Sequence, residues 1–126
     1  MSAHNSLVAT YAKRSAAAAD VAKLQQAGFD PRQLFVAARD GRAKVGEELG
    51  ATFIGELGAL DATLFRIGVP QEDVLDYEAE FNIDRLLLAA HGSPGEIARA
   101  KRILDAAHPA SWDASVGCSV YYGCFD

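Results

Sequence analysis

The segment AAHGSPGE, residues 89–96, carries the residue types in this chain that could do chemistry. His91 could act as an acid, a base or a ligand, because histidine changes charge near neutral pH. Ser93 followed three residues later by Glu96 is the pattern of a capping box, in which both side chains accept hydrogen bonds from backbone N–H groups at a helix start. A bound anion and a serine nucleophile are the alternatives. Glu96 would itself occupy the positive end of the helix, so the pattern favours capping.

A second group of candidate residues lies in the acidic stretch around residues 77–84. Tyr77 and Glu78 belong to it, and paired carboxylates can do general acid–base work. One hypothesis is therefore a small-ligand binder or an enzyme, with a pocket near His91, Tyr77 and Glu78 that Ser93 could also line. A solvated helical face is the ordinary role of such a charge run. No Glu-x-x-His motif accompanies the carboxylates, so the sequence predicts no metal site and no cofactor.

Two cysteines, Cys118 and Cys124, raise the hypothesis of a thiol redox sensor. In a fully extended segment they would lie about 20 Å apart and could not bond to each other. A turn at Tyr122 and Gly123 would bring them within range. Reduced thiols are the ordinary state in the cytoplasm, and no flanking Lys or Arg is arranged to lower the pKa of either thiol.

Composition excludes several other classes of protein. The chain has 126 residues, half of them apolar, and a net charge of −5, which predicts one soluble domain over 1–126. Nucleic-acid binding is not expected, because it needs clustered Lys and Arg and the basic residues here are scattered. The N-terminus lacks the pattern of a signal peptide, and no apolar run is long enough to span a membrane. We therefore expect a cytoplasmic protein without membrane contact.

The patterns along the chain alternate between strands and helices. Apolar runs predict strands at 7–12, 34–38 and 85–90, and helical periodicity is found at 15–28, 70–81 and 93–108. Residues 44–68 are predicted to form one long helix, because apolar residues recur there every three or four positions. Its glycines should allow close packing against another backbone or a second subunit, and a merely kinked, weak helix is the alternative. These are Gly46, Gly50, Gly55 and Gly58.

The order of these elements predicts the fold class. The tail, residues 110–126, contains SVGCSVYYGCF, which is either a fourth strand or a loose terminus. With that strand the chain has the order βαβ, a helical insert over 44–84, and βαβ. This order resembles an α+β, ferredoxin-like βαβ-(helical insert)-βαβ sandwich.

The third predicted strand is apolar on both of its faces. Leu86, Leu87 and Leu88 are followed by two alanines, so no position in it suits solvent. A sheet covered on one side only would alternate apolar and polar residues. The second face must be covered by the insert helix or by a second subunit, and we expect a homodimer.

Three segments together resemble a known family. LQQAGFDPRQLFVAARD, IGVPQEDVLDYEAEFNIDRLLLAAHG and EIARAKRILDAAHP are similar, in order and spacing, to the general stress protein family of small bacterial proteins, also called heat-induced stress proteins. The resemblance covers roughly residues 7–109. It implies induction under stress, no established enzyme activity and no catalytic residues to carry over. Many relatives have a long glycine-rich apolar segment where this chain carries several charged residues, Glu47, Glu48, Glu56, Asp61 and Arg66.

The function that we predict from the sequence is a stress-associated cytoplasmic binding or interaction module. It would act as a homodimer with a further, unknown protein partner and without catalytic activity. In this hypothesis the acidic region 72–84 faces outward. The ligand-binding or enzymatic hypothesis and the redox hypothesis remain the alternatives.

Overall fold

A computed structural model describes residues 4–39, 51–107 and 116–123 of the chain. Helices and strands are both present, and the α+β class is confirmed. The strands are β1 (His4–Tyr11), β2 (Leu34–Ala37), β3 (Thr52–Ile54), β4 (Leu86–Gly92) and β5 (Val116–Gly123). The helices are α1 (Arg14–Gln26), α2 (Leu57–Arg66), α3 (Gln71–Asn82) and α4 (Pro94–Ala107), and a 3-10 turn (Pro31–Gln33) precedes β2.

The strands form one mixed sheet in the order β3-β2-β4-β1-β5. Strand β4 runs antiparallel to both of its neighbours, β5 runs antiparallel to β1, and β3 runs parallel to β2. The tail segment that was predicted as either a strand or a loose terminus forms β5. It pairs with the whole of β1, from Val116 opposite Tyr11 to Gly123 opposite His4.

One face of the sheet is covered by α1 and α4. Helix α4 is amphipathic, and the apolar residues that α1 buries, Ala17, Val21 and Leu24, fit the three-to-four-residue spacing that the sequence predicted. Odd-numbered residues of β1 and even-numbered residues of β2 and β4 meet them, because alternate residues of a strand point to one side. The buried cluster includes Leu7, Ala9, Leu34, Val36, Leu86 and Leu88 from the sheet, and Val21, Leu24, Ile97 and Leu104 from the helices.

The other face of the sheet is covered by α2 and α3. Leu87 and Ala89 of β4 are buried there at 1% and 4% exposure, so both faces of this strand lie in apolar surroundings. The cluster also contains Val8, Phe35, Ala37 and Ile54 from the sheet, and Leu60, Leu64, Val74, Tyr77 and Phe81 from the two helices. The sequence predicted that either the insert or a second subunit covers this face. The insert covers it, so a second subunit is not needed to bury these residues.

The prediction of one continuous helix over 44–68 is wrong in its central part. Residues Thr52–Ile54 form β3, and α2 begins only at Leu57. Thr52 and Ile54 are β-branched and favour extended backbone, and Gly55 separates the strand from the helix. The parallel pairing of Phe35 with Thr52 fixes the strand, and such a contact between distant segments leaves no local periodic pattern.

The two described glycines of the predicted long helix, Gly55 and Gly58, do not have the predicted role in close packing. A Cβ atom added to Gly58 would meet no heavy atom within 4 Å, so this glycine allows no close backbone approach. Gly55 lies in the connection between β3 and α2 rather than within a helix. Gly46 and Gly50 lie outside the described residues.

Two other glycines do have a conformational role, since they end helices. Gly28 follows α1 with φ +101°, and Gly68 follows α2 with φ +94°, both in the left-handed region that favours glycine. In each case the next residue donates its N–H to a carbonyl in the last turn, Phe29 to Leu24 and Val69 to Leu64. This is the Schellman arrangement, and its apolar contact is made by the buried Phe29 and Val69 side chains.

Alanine substitutions at Gly58 and Gly68 should have opposite effects on stability. Gly58→Ala is expected to raise the free energy of unfolding by about 0.5 kcal/mol, because alanine favours a helix and the site is open. Gly68→Ala is expected to lower it by about 1 kcal/mol, because an L-residue is strained at positive φ. Urea denaturation followed by circular dichroism measures both changes. A loss of stability in Gly58→Ala would contradict the open environment.

Candidate functional site

His91 lies near the end of β4, where it contacts β2 and the preceding turn. Its Nε2 atom donates to the carbonyl oxygen of Arg32 at 3.2 Å, since a carbonyl oxygen can only accept. Its ring stacks on Phe35 with the centroids 5.4 Å apart and the planes 21° from parallel. The guanidinium carbon of Arg66 lies 5.7 Å from the Phe35 ring centroid. These contacts give His91 a structural role at the junction of two strands.

Ser6 is the residue opposite His91 on the neighbouring strand β1. A serine beside a histidine is a possible nucleophile and base. The Ser6 side chain is fully buried, however, and its Oγ forms no hydrogen bond, either with the His91 ring or with any other group. The pair therefore has neither the hydrogen bond nor the access to solvent that nucleophilic catalysis requires.

The capping box predicted at the start of α4 is confirmed. The N–H of Ser93 donates to Glu96 Oε1 at 2.9 Å, and the N–H of Glu96 donates to Ser93 Oγ at 3.2 Å. The backbone hydrogen bond from Ser93 is the main reason why the pKa of Glu96 lies below its usual value, with help from Gln33. The same Gln33 Nε2 donates to the His91 carbonyl oxygen at 3.2 Å and lies 3.3 Å from Glu96 Oε1. Glu96 thus occupies the helix N-terminus, as the sequence indicated.

Gly92 is enclosed by this hydrogen-bonded group. A Cβ atom at Gly92 would lie 2.6 Å from Glu96 Oε1 and 2.9 Å from Gln33 Nε2, both closer than normal contact. The absence of a side chain at this position therefore lets the glutamate reach back over the strand end. This part of the segment AAHGSPGE thus forms the tight connection between β4 and α4.

The described residues also form a groove on the outer side of the insert, between α2 and α3. Its volume is about 250 Å³, which is small for a drug-sized ligand and suits a side chain. On α2 the lining residues are four apart, and on α3 they recur three, four and seven apart, so each set lies on one face of its helix. They are Asp61 and Phe65 from α2, and Gln71, Val74, Leu75 and Glu78 from α3.

The groove combines an apolar rim with a pair of carboxyl groups. Phe65 is 75% exposed and Leu75 is 60% exposed, so two large apolar side chains face solvent beside it. The side chains of Asp61 and Glu78 share a hydrogen bond, and this bond raises the pKa of Glu78 above its usual value. The second oxygen of Asp61, Oδ1, is buried and accepts no hydrogen bond. Because both carboxyl groups also line the groove, the pair can accept a positive charge there.

The surroundings of the groove are strongly acidic. Helix α3 has no Lys or Arg, and within the described residues Glu80 has a cationic partner in Arg85, with 3.2 Å between N and O. Neither Asp61 nor Glu78 forms an ion pair with a described residue. The carboxylates of α3 are Glu72, Asp73, Asp76, Glu78 and Glu80.

Within the described residues, the groove does not bring together the four residues predicted to form one ligand pocket. Glu78 lines the groove, whereas Tyr77 is 7% exposed and belongs to the apolar cluster beneath α3. His91 and Ser93 are held by contacts at the end of β4. His91, Tyr77 and Ser93 are not among the groove-lining residues. The ligand-binding hypothesis therefore remains a prediction.

The two cysteines are only partly covered by the described structure. Cys118 lies in β5 opposite Ala9 of β1. The strand continues through Gly123, so the turn at Tyr122 and Gly123 that would bring the cysteines together is not formed. Cys124 lies outside the described residues, and the redox hypothesis stays untested.

Asp61, Phe65, Gln71 and Leu75 were not among the residues singled out from the sequence. The buried stripe of α2 follows Leu57, Leu60, Leu64 and Ile67, so Phe65 falls off that stripe. Leu75 likewise falls off the buried stripe formed by Val74, Tyr77 and Phe81. A large apolar residue that lies beside the buried stripe of a helix indicates an exposed apolar position, and this signal could have identified Phe65 and Leu75. The pairing of Asp61 with Glu78 has no such signal, because it joins two helices.

Residues 4–39, 51–107 and 116–123 contain neither a metal-binding group nor a membrane-spanning helix. Within them, no three His, Cys, Asp or Glu side chains are grouped so as to hold a metal ion. The helices described there are also too short or too polar to cross a membrane.

Comparison of the chain with models of protein families, with curated proteins and with solved structures gives no match in any of the three. The resemblance to the general stress proteins therefore rests on the sequence segments alone, and the groove between α2 and α3 is the candidate site that the described structure offers.

Proposed function

We propose that this protein is a non-catalytic interaction module whose contact surface is the outer side of α2 and α3. The observation that carries this proposal is the groove with its rim of exposed Phe65 and Leu75 on an otherwise acidic helix pair. Exposed apolar residues that are grouped together and surrounded by polar residues are typical of protein contact sites. Large apolar side chains at that surface would be covered when a partner binds.

A stress-associated role and a homodimeric state are further parts of the proposal. The stress association is supported by the three sequence segments that resemble the general stress proteins. For the homodimer, Ile83 at the end of α3 offers another exposed apolar side chain, with 64% exposure. Multi-angle light scattering tests this part directly, and a monomeric mass at micromolar concentration would remove it. A cytoplasmic location is also proposed.

The ferredoxin-like architecture is proposed as the finer classification of the fold. The order β2-β4-β1-β5, with β4 antiparallel to its neighbours, supports it, as does the packing of α1 and α4 against one face. The insert with β3, α2 and α3 would then be an addition that covers the face such sandwiches leave open. An experimental structure in which the four strands have another order would contradict this classification.

The interaction surface can be tested by site-directed photo-crosslinking in cells. The photoreactive residue p-benzoylphenylalanine is placed at position 65, and a matched control carries it at position 102, an exposed site on α4 across the sheet. We expect a discrete adduct from position 65 that mass spectrometry identifies, and none from position 102. The purified partner should then bind the protein, and Leu75→Ser should weaken its Kd by about tenfold or more.

Two results would contradict the proposed surface. One is an absence of adducts from position 65 beyond those from position 102. The other is a partner whose Kd is unchanged in Leu75→Ser. Because Leu75 is exposed, its replacement should leave the fold intact, and a circular dichroism melt checks this.

A further inference from the structure

We infer, on the basis of the proposed interaction role, that the groove between α2 and α3 accepts a lysine side chain presented by an amphipathic helix of another protein. The lysine ammonium would lie between the carboxyl groups of Asp61 and Glu78. The apolar residues that flank the lysine on its own helix would cover Phe65 and Leu75.

The carboxyl pair is the first reason for this choice of occupant. Asp61 and Glu78 line the groove from its two facing helices, and two carboxyl groups so close together disfavour a second negative charge, a penalty that an ammonium group removes. Lysine brings three N–H donors at one point, which suits two neighbouring carboxyl groups that line the same groove. A planar guanidinium is better matched to two oxygens of one carboxylate.

The walls of the groove are the second reason. Val74 and Leu75 on α3 and Phe65 on α2 supply apolar surface beside the carboxyl groups. The aliphatic stem of lysine packs against such surface while its charged end reaches a polar group. A volume of about 250 Å³ has room for one long side chain rather than for a free cofactor.

The charge of the surrounding helix indicates the nature of the partner. Helix α3 carries carboxylates without a basic residue, so its field attracts a positively charged segment. Apolar positions spaced at i, i+3, i+4 and i+7 on a partner helix would face the rim in the common helix-in-groove manner.

A second copy of the chain does not fit this description. The acidic groove of one copy would repel the acidic α3 of another, so the proposed homodimer would form outside the groove. Among the described residues, the large exposed apolar side chains lie on or next to α2 and α3, and these helices contain no lysine. Lys13, the N-cap residue of α1, and Lys23 within α1 lie on the opposite face of the sheet from these apolar side chains, and Lys101 on α4 is already paired with Asp105. Lys44 lies outside the described residues.

The test uses the purified full chain and three labelled helical peptides in fluorescence anisotropy. The first peptide carries one lysine at the centre of its apolar face. The second has norleucine at that position, which removes only the ammonium group. The third has the same total charge, with the lysine moved to the polar face. We expect the first to bind, and the second and third to bind at least about tenfold more weakly.

Matched protein variants separate the groove from the general acidity of α3. Asp61→Asn combined with Glu78→Gln is expected to weaken binding of the first peptide by about tenfold. Glu72→Gln combined with Asp76→Asn changes exposed carboxylates of the same helix outside the groove, and is expected to weaken binding less than about threefold. Circular dichroism checks that both double variants fold.

Several outcomes would overturn the lysine assignment. Equal losses in the two double variants would mean that only overall charge matters. Equal binding of the three peptides would mean that the ammonium position does not matter. If no peptide binds while crosslinking at position 65 identifies a partner, the lysine assignment fails and the interaction role stands. If no peptide binds and position 65 also gives no specific adduct, the lysine assignment and the proposed interaction role are both wrong. Peptide-independent self-association through position 65 would identify a second copy as the occupant.

Discussion

Replacing Leu87 with alanine is expected to lower the free energy of unfolding by about 3 kcal/mol, and Leu88→Ala is expected to lower it by a similar amount. The two leucines are adjacent in β4 and point to opposite faces of the sheet, with 1% and 0% exposure. Leu88 packs beneath α1 and α4, and Leu87 packs beneath α2 and α3. In a sheet with one open face, one of the two substitutions would be nearly harmless.

Guanidinium denaturation followed by circular dichroism measures both losses. Leu75→Ala is the matched control, because this leucine is 60% exposed and its truncation should change stability by less than about 0.5 kcal/mol. A change below about 1 kcal/mol in Leu87→Ala would mean that α2 and α3 do not cover the second face in solution. The groove between those helices would then lose its structural basis as well.

Tyr11→Phe is expected to lower the free energy of unfolding by about 2 kcal/mol. The Tyr11 hydroxyl donates to Asp20 Oδ2 at 2.5 Å, and the two residues are 0% and 2% exposed. A hydrogen bond to a buried carboxylate is worth more than one between neutral groups, because the charged acceptor is poorly solvated without it. The phenylalanine ring fills the same space and leaves only the hydroxyl missing.

A double-mutant cycle isolates this hydrogen bond from other effects of the substitution. Tyr11→Phe, Asp20→Ala and the double variant are compared by urea denaturation. The coupling energy should be about 1 to 2 kcal/mol, so Tyr11→Phe should cost much less stability when Asp20 is already absent. Additive losses from the two single variants would show that the hydroxyl does not depend on the carboxylate.

The local patterns of the sequence predicted most of the elements but not all of their boundaries. The apolar stripes of α1 and α4 and the leucine run of β4 depend on burial within one segment, so periodicity identified them. Strand β3 was missed because Phe53 fits a helical spacing as well as a strand. Its extended form depends on pairing with β2, a contact between distant parts of the chain.

Less of the candidate site than of the fold could be predicted from the sequence. Glu78 and the outward acidic region of α3 were identified from charge alone. The partner of Glu78 is Asp61, and no spacing rule joins residues on two different helices. The ligand-binding hypothesis placed a pocket between the insert and the sheet, near His91, Tyr77 and Glu78. In the folded chain His91 stacks on Phe35 at the end of β4, whereas Tyr77 is buried beneath α3.

The doubly buried leucine run of β4 also affects strand alignment. Where one face of a strand is polar, slipping by one residue exposes apolar groups and is strongly disfavoured. If β4 slipped by one residue against its neighbouring strands, one leucine would take the place of another on each face. Hydrophobicity alone therefore discriminates weakly between alternative registers of β4. The hydrogen bonds of His91 and Gln33 tie the end of β4 to the segment before β2 in a single alignment. Removing them should therefore allow shifted strand pairings to compete.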